Sequence, residues 1–258
     1  MSALSAIHGI VARDLRRSSR QTGRLLSGLA RPFMWLLLVG TGYNAIARVG
    51  SGVPYQAYVL PGIVVMAALF GGMLTAIATV YDREFGMLRL MLASPAGIPA
   101  ILAGRALAAT LVAVLQGGIV LACAPLIVPL TASSMVAAAG ALGVGSIVSA
   151  ALGLLVAARL RSVENFAGVI NVVLFPLLFA SGALYPTAGM PAALRALARM
   201  NPVTYAVDLM RHALGQQAEF AVGRDLVVLL GSAAIAFTVT ALVFDPEQRL
   251  VGRARPRA

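Results

Sequence analysis

No lysine occurs anywhere in the 258 residues, and no acidic residue lies between Glu84 and Glu164. Without lysine the chain cannot complete a nucleotide-binding P-loop, in which a lysine reaches the terminal phosphates. An interior so poor in Asp and Glu has few groups to relay protons or to hold a coupling cation by carboxylate. Cys123 is the single cysteine and lies in an apolar run, so the chain can build neither a disulfide nor a zinc site. The thiol reads as a small buried hydrophobe. His8 and His212 are the only histidines, one in each membrane-surface region, which predicts no histidine metal cluster and no His–Asp pair within the bilayer. One tryptophan and 6% aromatics leave little material for stacking sugar rings, which disfavours a polysaccharide channel.

What the chain has in quantity is apolar length. Sixty per cent of it is hydrophobic, and its mean hydropathy is +0.90. Runs of about 20 apolar residues cross a hydrocarbon core ~30 Å thick. Six such runs, over residues 27–47, 57–80, 99–128, 135–158, 165–183 and 226–244, predict an all-α polytopic membrane protein. The whole chain, 1–258, reads as a single domain: an interface segment 1–26, a six-span region 27–244 and a tail 245–258. Net charge +11 comes from arginines that flank the spans, so it speaks for topology and lipid headgroups and against nucleic acid.

Residues 1–26 have no continuous apolar core or cleavage site, so they read as an amphipathic helix and not as a signal peptide. Leu4, Ile7, Val11 and Leu15 recur at helical steps opposite Arg13, Arg16, Arg17, Arg20 and Arg24. Such a helix is expected to lie in the headgroup layer with its arginines toward anionic lipid. With the N-terminus inside, fifteen arginines fall on the inner side and only Arg48, Arg195, Arg199, Arg211 and Arg224 on the outer. Both termini are therefore expected in the cytoplasm. Arg105 is counted inside because a long side chain can snorkel from the start of the third span. In the fourth span Ala137, Ala141, Gly145, Ser149, Gly153 and Ala157 fall every four residues, a face with little bulk that invites close helix packing. Every acid is placed in a loop, a tail or the outer hairpin.

Two segments hold most of the remaining chemistry. Tyr81 to Pro95 reads as a short cytoplasmic helix with Phe85, Leu88 and Leu92 at helical spacing and Asp82, Glu84 and Arg89 offering charge. Gly86 predicts a kink or a close approach, and Ser94-Pro95 stops the helix. Downstream, Pro191 opens a short helix, then Asn201 and Pro202 cap and start another that carries Asp208 and Arg211 three apart. The pair of helices is too short and charged to span, and reads as a re-entrant or interfacial hairpin between spans five and six.

These strings resemble the type-2 ABC exporter permeases. Arg83-Glu-Phe-Gly-Met with Ser94-Pro95 is similar to the family's coupling helix, although Met87 stands where threonine is usual. Ser181-Gly-Ala-Leu-Tyr-Pro186 and Asn201-Pro-Val-Thr-Tyr-Ala-Val-Asp-Leu-Met-Arg211 are similar to its outer signatures. The resemblance spans nearly the whole chain, and drug-export and nodulation-factor-export permeases are the nearest in pattern. It implies a half-transporter with no ATPase site, cofactor or metal of its own. A second copy or a paralogue would complete the pathway in a bacterial inner membrane, and a pair of cytosolic ATPase subunits would carry ATP and Mg. It further implies that Arg83, Glu84, Phe85, Gly86, Leu88, Arg89, Ser94 and Pro95 couple to the ATPase. Asn201, Pro202, Asp208 and Arg211 would serve an outer gate, and Gly145, Ser149 and Gly153 helix packing. The expected cargo is a drug-like compound, lipid or lipid-linked glycan moving outward. An ion-driven transporter and an intramembrane enzyme are the alternatives.

Overall fold

The computed structural model describes residues 3–44, 48–49, 53–92, 97–160 and 162–253. Helix dominates because almost every long segment is apolar, and a backbone in hydrocarbon must satisfy its own polar groups. In order come α1 (Ala3–Arg20), α2 (Thr22–Met34), a π-helical turn (Trp35–Val39) and α3 (Gly40–Asn44). Then follow α4 (Tyr55–Glu84), α5 (Met87–Leu92), α6 (Gly97–Cys123), α7 (Ala132–Arg159) and α8 (Val163–Phe179). The last are α9 (Ala192–Met200), α10 (Pro202–Ala213) and α11 (Val222–Arg253). A two-residue antiparallel pair, β1 (Arg48–Val49) with β2 (Val53–Pro54), precedes α4.

The centre of the fold is α4, buried from Val59 to Met73. It packs against α6 and α7 on a surface of small residues. A Cβ on Gly153 would meet the Met73 backbone at 2.9 Å, and one on Gly72 would meet Ser149 and Ala150 at 3.0 Å. Gly145, Ser149 and Gly153 are all buried, with Gly145 facing Ala206 of α10. The small face of α7 is thus spent within the chain, where it lets α4 and α10 approach. Thr131 and Ser134 close a reciprocal cap at the start of α7.

Among the described residues five stretches are long and apolar enough to cross a membrane: Leu25–Tyr43, Tyr55–Glu84, Gly97–Leu126, Ala132–Arg159 and Val222–Val243. The sequence predicts six. The difference lies at the fifth, where α8 has 17 residues, about 26 Å of helix. It ends at Phe179 because the chain turns over Ser181 and Gly182, whose φ of +77° suits glycine. The bundle has two ends. One, here called proximal, gathers α1, α5 and residues 237–243 of α11. The other, distal, gathers α9, α10 and the start of α4. The segment expected to form a hairpin between spans five and six holds α9 and α10, of which α10 is buried against α4, α7 and α11.

Candidate functional site

At the proximal end, a cluster of charge ties three helices together. Asp82, in the last turn of α4, accepts from Arg105 of α6 and from Arg13 and Arg17 of α1 at 2.8 and 3.4 Å. Asp14 of α1 accepts from Arg13 at 3.0 Å and lies 3.9 Å from Arg105. Arg105 also donates to the Thr79 hydroxyl at 3.2 Å. Arg105 and Asp14 are only 2% and 3% exposed. The sequence expects Arg105 to snorkel; instead a carboxylate one turn from the end of α4 neutralises it inside the bundle. The sequence also expects the arginines of α1 to face lipid, yet Arg13 and Arg17 turn inward to Asp82. The placement of every acid in a loop, tail or hairpin is likewise corrected, since Asp82 and Asp225 lie within helices and are buried. Two signals could have found the cluster: one arginine inside an apolar span, and one acid in an otherwise basic helix.

Arg83 and Glu84, the charged pair that follows Asp82, work as caps on the α7–α8 connection. Arg83 donates to the carbonyls of Ala157 and Leu160 at 2.9 and 2.7 Å, at the C-terminal end of α7. Glu84 accepts from the Val163 amide at 2.9 Å, at the first turn of α8. A cation at a helix C-terminus and an anion at an N-terminus both oppose the helix dipole favourably. Arg83→Ala is expected to cost about 1–3 kcal/mol by orphaning those carbonyls. Glu84→Gln keeps an acceptor and should cost under about 1 kcal/mol. Thermal unfolding of both variants in detergent checks this; equal melting of Arg83→Ala and wild type would mean the caps are idle.

Beyond the pair the chain turns at Gly86, with φ +76°, which only glycine adopts freely. This turn ends α4 and starts α5, so the predicted helix over residues 81–95 is divided in two. Leu88 is buried against Ile98, Ile101 and Leu102, whereas Phe85 is 75% exposed, Leu90 68% and Met87 nearly half. Phe85 and Leu88 therefore serve opposite surfaces. The side chains of Arg89 and Leu92, and all of Ser94 and Pro95, lie outside the described residues.

At the distal end, Asn201 caps α10 by accepting from the Val203 amide at 3.0 Å, with Pro202 at the first helical position. Its side-chain amide donates to the Leu177 carbonyl in α8 at 2.6 Å. Arg211, 4% exposed, donates to the Gly182 carbonyl at 2.6 Å and to the Tyr58 hydroxyl at 2.7 Å. Its guanidinium also lies over the Tyr58 ring, 4.7 Å from the centroid. Arg211 thereby joins α10, α4 and the turn after α8. Asp208 binds elsewhere, accepting from the Glu219 and Phe220 amides at 2.8 Å each. Tyr58 carries no sequence signal that sets it apart.

Asp208, His212 and Asp225 bring ligand atoms within 4.8 Å of one another. The expectation of no His–Asp pair is corrected at this end, where His212 lies 3.9 Å from Asp225. The arrangement is a capping cluster and fits a metal poorly. Both Asp208 oxygens are taken by backbone amides, and His212 Nε2 faces the Phe220 carbonyl at 2.7 Å. Asp225, fully buried, sits in the first turn of α11, where the helix dipole favours an acid.

Residues 5–214 match the family model described as ABC-2 type transporter. The chain is similar to the putative transport permease ycf38 of Pyropia yezoensis, 26% identical over 82% of this chain and 74% of that protein. It is 30% identical to nodulation protein J of Rhizobium leguminosarum bv. trifolii over 72% of each chain. It is 28% identical to the probable multidrug ABC transporter permease YbhR of Escherichia coli (strain K12), over 72% of this chain and half of that one.

Proposed function

Because the chain belongs to the ABC-2 type transporter family and is a multi-pass permease that works with an ATPase partner, we propose that two six-span copies, or one and a paralogue, form an export pathway. In this reading α8 counts as the fifth span, since about 17 residues is the lower limit for crossing. The proximal end faces the cytoplasm of a bacterial inner membrane, and both termini lie there. Arg31 apart, fourteen of the other nineteen arginines are assigned to the inner side, which supports that orientation. So does the gathering of α1 and the later part of α11 at one end.

Two cytosolic ATPase subunits seat on the proximal end and hold ATP and Mg. The observation that carries this reading is the exposed group Phe85, Met87 and Leu90, apolar side chains at a charged end of the bundle that a soluble partner would cover. ATP-driven approach of the two subunits would push on α5, and through Asp82, Arg83 and Glu84 on α4, α6, α7 and α8. The cargo is a hydrophobic or amphipathic molecule. The names of the relatives, one a nodulation protein and one a probable multidrug permease, support that breadth.

With no lysine, this chain has no phosphate-gripping P-loop side chain. Purified alone it is expected to hydrolyse no ATP, and with a cytosolic P-loop ATPase partner to support ATP-dependent transport. Turnover by the chain alone, persisting after further purification, would overturn the assignment.

A further inference from the structure

Neither end of the bundle uses Arg31. It lies in α2, inside the apolar stretch Leu25–Tyr43, and its guanidinium sits over the Phe70 ring, 4.8 Å from the centroid. Phe70 stands midway along the thirty residues of α4, about 21 Å from either end. Held against Phe70, the charge lies far from both ends of α4. Among the described residues Arg31 has no ion pair and no hydrogen bond.

Two cavities meet at this side chain. On the proximal side Ser27, Asn171, Phe166 and Ile170 line a space of about 180 Å³. On the distal side Trp35, Met66, Phe175 and Phe179 line a narrower and almost wholly apolar one. Both include Arg31 and Phe70, so the groove runs from polar to apolar past a single cation.

Acids that could neutralise that cation are placed elsewhere. Asp14, Asp82, Glu84 and Glu164 belong to the proximal end, and Asp208, Glu219 and Asp225 to the distal end. Asp245 and Glu247 follow the last apolar stretch of α11. A second copy of the chain brings the same acids to the same depths, so it offers no partner at the midpoint. Arg31 is exposed at the side of the bundle, and a lipid-facing arginine is costly without one. The missing negative charge must come with a ligand.

We propose that Arg31 is the headgroup site for an amphiphile bearing one anionic group, whose apolar chain lies along Trp35, Phe175 and Phe179. Its role as cargo rests on the transport reading above; the binding itself does not. Trp35 is the only tryptophan and lines the groove, which makes it an internal reporter. The full chain in neutral detergent is titrated at alkaline pH with dibromostearate, whose bromines quench indole fluorescence, and separately with its methyl ester.

Dibromostearate is expected to quench at a concentration roughly tenfold or more below that of the ester, the margin of a hydrogen-bonded charge. Arg31→Gln should abolish that preference and leave quenching by the ester unchanged. If Arg31→Gln does not fold, Asn171→Asp, which adds a carboxylate to the cavity wall, should selectively weaken dibromostearate. Equal apparent affinities for acid and ester in the wild type, or a preference that survives both substitutions, would overturn the proposal. No ATPase is needed for this readout, so its failure leaves the transporter assignment standing, and failure of ATP coupling leaves the binding site standing.

Discussion

Asp82→Ala is expected to destabilise the chain by about 3–5 kcal/mol, the usual cost of leaving a buried charge without its partner. In the wild type three arginines (Arg13, Arg17 and Arg105) face two acids (Asp14 and Asp82), a net charge of +1. The substitution raises that to +2 and removes the only acid that Arg105 meets at hydrogen-bond distance. It also removes the ion pairs that Arg13 and Arg17 make with α4, leaving Arg17 over the Tyr81 ring, so α1 should loosen first. Trypsin cutting at Arg13 and Arg17 should become much faster than in the wild type. The double variant Asp82→Ala with Arg105→Leu separates the causes. If the stranded guanidinium is the source of the cost, the double variant should be more stable than Asp82→Ala alone. Additive losses would place the cost in the lost α1 contacts instead.

Arg211→Ala should have the second-largest effect, at the opposite end. It leaves the Gly182 carbonyl with only the Tyr58 hydroxyl at 3.2 Å and removes the cation from the Tyr58 ring. Losing a hydrogen bond from a charged group costs about 1.5–3 kcal/mol, and a desolvated cation–π contact about 2 kcal/mol more. What loosens is the turn from Ser181 to Pro186, which links α8 to the α9–α10 pair. Both bonds come from one guanidinium nitrogen, Nη2, so Arg211→Lys can keep charge and donors but loses the planar stacking on the Tyr58 ring, and it should recover only part of the loss. Transport at matched membrane levels, with melting temperature measured alongside, checks this. Wild-type behaviour of Arg211→Ala on both counts would reduce the arginine to a surface anchor.

The parts of this fold that were legible in the sequence are those set by local chemistry. Apolar length placed α4, α6 and α7 within a few residues of their observed bounds, because in lipid an apolar run has no alternative to helix. Asn201 and Pro202 announced the start of α10, and Gly86 announced a kink, since each acts through its own backbone. What escaped was long-range pairing. Asp82 and Arg105 are 23 residues apart, and only the packing of α4 on α6 brings them together. Glu84 reads as a charge offered outward and Arg83, by resemblance, as part of a coupling helix, yet both cap helices more than seventy residues away. The length of α8 was overestimated because Ala180–Ala183 is small and uncharged and so does not visibly end the apolar run. Only the turn at Gly182 and the Asn201 bond to Leu177 mark its end.

The claim that the proximal end receives a cytosolic ATPase is tested most directly by crosslinking from its exposed apolar side chains in the living cell. A photoreactive amino acid replaces Leu90, which is 68% exposed. The account predicts an adduct to a soluble subunit carrying a P-loop, formed at Leu90 and absent when the same probe replaces Met200 at the distal end. Adducts of that subunit at Met200 and none at Leu90 would contradict both the docking surface and the orientation.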